Sequence, residues 1–465
     1  MAARETYSDN ITLASKPQGE QRRLVSEITP AIDVTATGKR LNLKGNYSLQ
    51  SIFYGRKLTD NRNINKFLLN SDAEVIEDWF YLDLSARQSQ RQISTVQGIA
   101  SDNLAPTSGR GDVLTTTVSP RITHRFGPGL EFESRYSESQ VRYDSPLTEN
   151  SVIKKSTVRL NRGLGIQRLG WQLNYEQSKQ WRGDLLASQR KVGSGVLRYR
   201  LLDRVSVVAN SGREVGQIAG GRQFQQGNYW SAGIMWTPTP RLSLELLSGK
   251  NDKQGTLNWA PTARTSLGMS YVDRNVGVRP STSWKGFLNH RTRRTTWGLK
   301  YVEEISNEAR REVIDQSDAF YVDEQGLIWT SLPNLYTITN EDYTRASSQA
   351  NFSYASKKNQ IGVALSKERR AYEISVRQGV TNGATLSWAH SFTRRIKSSL
   401  RYLFSSKKEN LQSKIESSVF SLGVNWEIGR RTLVGMEYRQ AKLDSDDVNR
   451  DYVENRLSAN LKITL

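Results

Sequence analysis

The sequence predicts a single all-β chain, closed as an antiparallel up-and-down transmembrane β-barrel of about 24 strands (22–26). Three observations lead there. Apolar and polar residues alternate with a period of two along most of the chain. The alternating stretches run about 12–16 residues, where globular strands usually have 5–6. Connections between them are in turn very short and longer, with short turns on one side and long loops on the other.

Taken in order, the first alternating stretch is 5–15 (ETYSDNITLAS), and about 23 more follow from residue 22 onward. In 41–49 the odd positions form an apolar face around Leu41, Leu43, Tyr47 and Leu49. The same alternation marks 297–301, 385–388, 420–426 and 457–465. Each reads as a strand with one apolar and one wet face. The short connections carry turn chemistry at 37–40, 127–129, 163–165, 202–204, 238–241, 261–264, 291–294, 356–359, 393–395 and 429–431, with a tight turn near Glu77 and Asp78. The longer ones are 97–112, 144–150, 181–187, 217–226 and, above all, 306–342. The strand at 5–15 makes the total even, as a barrel with both termini on the short-turn side requires. Residues 1–465 are then one barrel domain with a long loop insertion at about 306–342. A soluble solenoid or propeller would use strands of about 5 residues and a repeated unit, and no repeat beyond the hairpin rhythm is present.

Composition agrees. Only 36% of the 465 residues are hydrophobic, yet there are 11 Trp, 19 Tyr and 12 Phe, too many rings for a disordered chain. Trp79, Trp236, Trp259, Trp297, Trp388 and Trp426 lie close to short turns, where a barrel carries its interfacial girdle. No apolar run is long enough for a transmembrane helix. The absence of Cys excludes disulfide scaffolds and thiol nucleophiles. His124, His290 and His390 sit near separate turns and read as rim residues, not metal ligands. No Ser-His-Asp spacing or phosphate-binding glycine loop is present, so neither an enzyme nor a cofactor is expected. The opening MAARETYSDN has no apolar leader core. This fits a cytoplasmic product, a mature form whose leader was removed, or a protein delivered another way.

The segments ETYSDNITLAS, SEITPAIDVTATGKRLNLKGNYSLQ, AEVIEDWFYLDLSA and SPRITHRFG resemble the outer-membrane β-barrel proteins associated with the PEP-CTERM protein-sorting system. The match is best over 5–145 and continues as a shared strand rhythm. The resemblance implies a secreted outer-membrane barrel, often linked to exopolysaccharide production, with no defined catalytic residues. Similar sequences are also expected in phage genomes.

The net charge of +20 points to anionic partners. Three groups of residues are candidates to meet them. The inward positions, complementary to the apolar ones, give a basic pore lining of Lys44, Arg135, Arg159, Arg198, Arg200, Lys300, Lys397, Arg401, Arg439, Arg456 and Lys462. Inward acids are fewer, at Asp83, Glu131, Glu133, Glu245 and Glu437. The short turns predict a basic collar on one rim, made of Arg40, Arg241, Arg264, Arg293, Arg294, Lys357, Lys358, Arg394, Arg395, Arg430 and Arg431. The long insertion offers an acidic gate, Glu303, Glu304, Glu308, Glu312, Asp315, Asp318, Asp323 and Glu324, able to fold into a basic lumen.

The leading expectation is a wide, positively lined outer-membrane pore for an anionic polymer, exopolysaccharide or DNA, with a backbone diameter of roughly 45–50 Å. The alternatives are a phage-encoded, virion-delivered barrel for DNA ejection and a non-pore surface β-protein that binds anionic polymers. Expected partners are outer-membrane lipid, the polymer, and periplasmic or phage-tail proteins at the short-turn rim or loops.

Overall fold

The computed structural model describes residues 1–464 except 16–18, 56–60, 94–99, 101, 107–108, 128, 146–147, 163–167, 219–225, 278–280, 307–319, 323–327, 331–341, 373–374, 376 and 410–411. Its wall is one closed antiparallel sheet. Of 27 strand segments, Phe320–Val322 and Ile328–Thr330 form a separate small hairpin. Arg23–Thr29 and Ala31–Thr37 pair in one register with successive parts of Leu41–Tyr54, so they are two halves of one strand. The wall therefore has 24 strands. The interruption falls at Pro30, which has no N–H to give to the ladder. Its carbonyl still accepts from the Leu49 amide at 3.1 Å.

Closure is made by the first strand, Ala2–Ser8, which lies between Arg23–Thr29 and the last strand, Tyr452–Ile463. Tyr7 stands opposite Leu24 on one side and Leu457 on the other. The amino terminus donates to the Ile463 carbonyl at 2.9 Å. With no free edge, the wall satisfies its backbone groups internally, as a bilayer requires.

The period-two reading of the faces holds. Leu422, Val424 and Trp426 are exposed on the outer face, while Ile415, Ser417 and Val419 of the same strand are buried inside. The six turn-proximal tryptophans are all exposed on the outside of one rim.

Two elements differ from the sequence reading. The stretch 5–15 is not one strand: the chain leaves the wall after Ser8. The Asn10 amide donates to the Ala14 carbonyl at 2.8 Å, and its Oδ1 accepts from the Ala14 N–H at 3.0 Å. This clasp turns 10–15 toward the barrel interior. There Ile11 is buried among Val25, Ile52, Tyr54, Ile64 and Leu104. Leu13 packs on a second cluster that includes Leu403, Val419, Leu443 and Tyr452. The other difference is 181–187, expected as a longer connection. Only Gly183 and Asp184 separate the strands Leu169–Arg182 and Leu185–Leu202. Gly183 has φ +52°, a conformation that costs glycine little.

The long insertion lies between Thr295–Ser306 and Tyr343–Ala355. Of the expected acidic gate, Glu308, Glu312, Asp315, Asp318, Asp323 and Glu324 lie outside the described residues. Glu304 faces the lumen and accepts from Arg345 Nη1 at 3.1 Å. Glu303 shares the parity of the outward Leu299.

Candidate functional site: the lumen and its basic rim

All eleven predicted lining residues occupy inward positions of their strands. Their surroundings divide them. Arg135 pairs with Asp83 at 3.1 Å, Arg159 with Glu133 at 3.5 Å, Arg198 with Glu245 at 3.2 Å and Lys397 with Glu427 at 3.0 Å. Further lumen pairs escaped the sequence reading, including Arg190 with Glu214 at 2.8 Å and Arg274 with Asp252 at 3.0 Å. Much of the expected single-sign field is therefore neutralised within the wall. Arg401 lies inward opposite Ser387 and Ser421. Lys44, Arg200, Lys300 and Lys462 make no ion pair among the described residues; Lys44, Arg200 and Lys462 lie toward the short-turn end, and Lys300 lies mid-strand.

Arg439 and Arg456 have a partner that the sequence did not announce. The connection between Phe80–Gln92 and Arg110–Phe126 dips into the lumen, and its Asp102 carboxylate accepts from both guanidinium groups. The Arg456 contact is 2.5 Å, and Arg456 also donates to Glu454 at 2.6 Å. Neighbouring contacts fix the segment. Tyr54 Oη donates to the Leu104 carbonyl at 2.7 Å, Asn103 Nδ2 to Gln50 Oε1 at 2.8 Å, and Arg110 Nη1 to the Ala100 carbonyl at 3.1 Å. Asp102 Oδ1 accepts from the Leu104 N–H at 3.0 Å, an Asx-type turn that shapes the tip. Burial alone would raise the Asp102 pKa, but Arg456 and Arg439 overcome it and hold the carboxyl well below its usual range. Residues 10–15 and 102–106 thus narrow the loop end of the barrel. The sequence signal for the second segment was the apolar residues of its connection, Ile99, Ala100, Leu104 and Ala105 among them.

The predicted collar is present. All eleven of its Lys and Arg residues are exposed in the short turns of one rim. Arg40 pairs with Glu77. Four collar turns share a Thr-x-Arg motif. The hydroxyls of Thr239, Thr262, Thr292 and Thr393 accept from the amides of Arg241, Arg264, Arg294 and Arg395, at 3.1–3.3 Å. The turn backbone is satisfied locally and the basic residue is held at the rim. Just above, each histidine meets a tryptophan: His124 stacks on Trp79 at 4.0 Å, and His290 and His390 lie 5.4 and 5.9 Å from Trp297 and Trp388. No metal-binding cluster occurs among the described residues.

A closed antiparallel wall with an apolar outer face, an aromatic girdle and a polar lumen defines a large β-barrel of the outer-membrane type. Neither a protein-family model nor a curated protein sequence matches this chain. Among solved structures it is similar to the FrpB iron transporter from Neisseria meningitidis (F5-1 variant), with 9% identity over 99% of this chain and 82% of that one, at a TM-score of 0.48. It is similar to the siderophore receptor PirA from Acinetobacter baumannii, with 7% identity over 100% of this chain and 80% of that one, at a TM-score of 0.49. A loop L8 deletion mutant of OmpT, an outer membrane protein of Vibrio cholerae, is similar at 8% identity over 99% and 96%, with a TM-score of 0.32.

Proposed function

We propose that this chain spans an outer membrane as a wide barrel and passes an anionic polymer through its lumen. The observation that carries this reading is the band of exposed cations without ion pairs in the short turns of one rim. Ten of the eleven collar residues lack an ion pair among the described residues, Arg40 being the exception. Lys44, Arg200, Lys300 and Lys462 continue the positive charge inward from that rim. Beyond them many lumen cations are paired with acids of the wall. A predominantly basic rim at the mouth of a low-dielectric wall concentrates polyanions at the entrance. Pairing within the wall weakens the hold on the polymer deeper in. The inward segments 10–15 and 102–106 narrow the opposite mouth, so passage depends on the contact between Asp102 and its two arginines.

Reconstitution in planar bilayers tests the proposal. Large anion-preferring conductance steps are expected, with block by polyanions added on the collar side. Cation preference, or block that ignores the side of addition, would overturn it.

A further inference from the structure

One side chain in the lumen is out of keeping with its surroundings. Phe287 stands opposite Gly268 on one neighbouring strand and Lys300 on the other, at an inward position. It lies mid-strand and 43% exposed. By contrast, the inward tyrosines Tyr54, Tyr143, Tyr229, Tyr343, Tyr372 and Tyr452 are all buried at the loop end. An apolar ring held open among polar neighbours is surface left for a ligand.

The ring is also held in place. A Cβ on residue 268 would come within 2.3 Å of Phe287 Cε1 and 2.7 Å of its Cζ. The ring therefore occupies the space that a side chain at 268 would fill, while much of it stays exposed. Lys300 is directly across from it and Lys285 is two residues along its own strand. Both amines are exposed, and neither makes an ion pair among the described residues. The next positions are amides: Asn258 beyond Gly268, Gln349 beyond Lys300, and Asn289 two residues toward the turn.

We propose that Phe287, backed by Gly268 and flanked by Lys285 and Lys300, is a binding subsite for an acidic polysaccharide. The proposal rests on the polymer-passage reading and names the polymer. A pyranose presents an apolar C–H face and a hydroxylated edge. The open ring takes the face, the amides take the hydroxyls, and the two amines take carboxylates. A nucleic-acid strand also stacks on aromatic rings, but it calls for cations that track its continuous phosphates. Here two isolated amines sit among neutral amides, which suits a polymer with its charge spread over sugar rings.

The test uses the full-length barrel with oligogalacturonate, uncharged maltodextrin and oligo-dT as probes. Block dwell times are read in planar bilayers, and binding to the detergent-solubilised barrel is read by calorimetry. Phe287→Ala is expected to shorten oligogalacturonate dwell times about tenfold or more, the loss typical of one stacking contact. Open-channel conductance should stay close to wild type, and Phe287→Tyr should keep the long dwell. Gly268→Val, which displaces the ring, should mimic Phe287→Ala. Binding that depends on Phe287 in the solubilised barrel, without any block in bilayers, would uphold the subsite while failing the passage reading. Equal oligogalacturonate dwell and affinity in wild type and Phe287→Ala would overturn the proposal. So would a Phe287 dependence confined to oligo-dT, or equal binding of maltodextrin.

Discussion

The Asp102 carboxylate accepts from Arg456 Nη1 at 2.5 Å although the two residues are 354 positions apart. One comes from an inward connection and the other from the closing strand. The Arg456 side chain is only 2% exposed, and Arg439 converges on the same carboxylate. Removing one member of such a cluster leaves buried charge without its counter-charge, which is far costlier than losing a surface pair.

Asp102→Asn is therefore expected to release the tip of its connection. About 3 kcal/mol of local closure is at stake, because the substitution removes the buried carboxylate charge on which both guanidinium groups converge. Single-channel conductance should rise while the wall stays folded. Unchanged conductance in the folded variant would mean that residues 102–106 do not obstruct the path.

The pH dependence follows from the depressed Asp102 pKa. The contribution of an acid whose folded pKa is lowered is complete above its unfolded value, about 4, and is lost as pH falls through the folded value. The conductance ratio of Asp102→Asn to wild type should stay constant from pH 8 to about 4 and approach one only in stronger acid. Taking the ratio cancels the titration of the other lumen acids. Convergence near neutral pH would show that Asp102 is not held by its arginines.

The wall was legible because a strand side chain has only two directions, so alternation fixes the face of every position. That is why the eleven lining residues are all inward and the six tryptophans all outward. Alternation does not distinguish a strand from a segment that packs onto strands. Tyr7, Ile11 and Leu13 keep the period, yet only the first belongs to the wall, because the Asn10 clasp turns the next residues in. Charge pairing was not legible either. Arg198 reaches Glu245 across two intervening strands, and Asp102 reaches the far end of the chain. Those partners depend on which strands close the barrel and which connection folds inward, neither of which is written in local pattern.

The face assignment has its own test. Arginine at Leu422, Leu461 or Leu386, all exposed on the outer wall, should hinder membrane assembly, most at Leu422 and Leu386, since a lipid-facing arginine costs ~2–4 kcal/mol at mid-depth and less near the interface where Leu461 lies. Arginine at the adjoining inward Ser421, Asn460 or Ser387 should assemble. Heat-modifiable gel mobility separates the two sets, and equal behaviour would refute the assignment.

For the collar, Gln at Arg293, Arg294, Arg394, Arg395, Arg430 and Arg431 should leave the wall folded, because all six are exposed in turns. Polyanion binding should weaken, and the slope of log affinity against log salt should become shallower as fewer counterions are released. An unchanged slope would put the polymer contact elsewhere and leave the collar to lipid head groups.

The Thr-x-Arg turns make the collar more than an accumulation of charge. Thr292 Oγ1 accepts from the Arg294 and Thr295 amides, and Thr393 Oγ1 from those of Arg395 and Ile396. Each hydroxyl satisfies two backbone donors in a connection too tight for the sheet ladder to reach. Valine keeps the shape but removes the acceptor, so Thr292→Val with Thr393→Val should cost about 1 kcal/mol per turn. The loss should appear as a lower unfolding midpoint in urea. Conductance should be unaffected, since both residues sit in exposed turns of the rim, but polyanion block should weaken because Arg294 and Arg395 are no longer fixed at the rim. Equal block with a lowered midpoint would separate the two roles: the motif would then serve turn stability alone, with charge at the rim sufficient for recruitment.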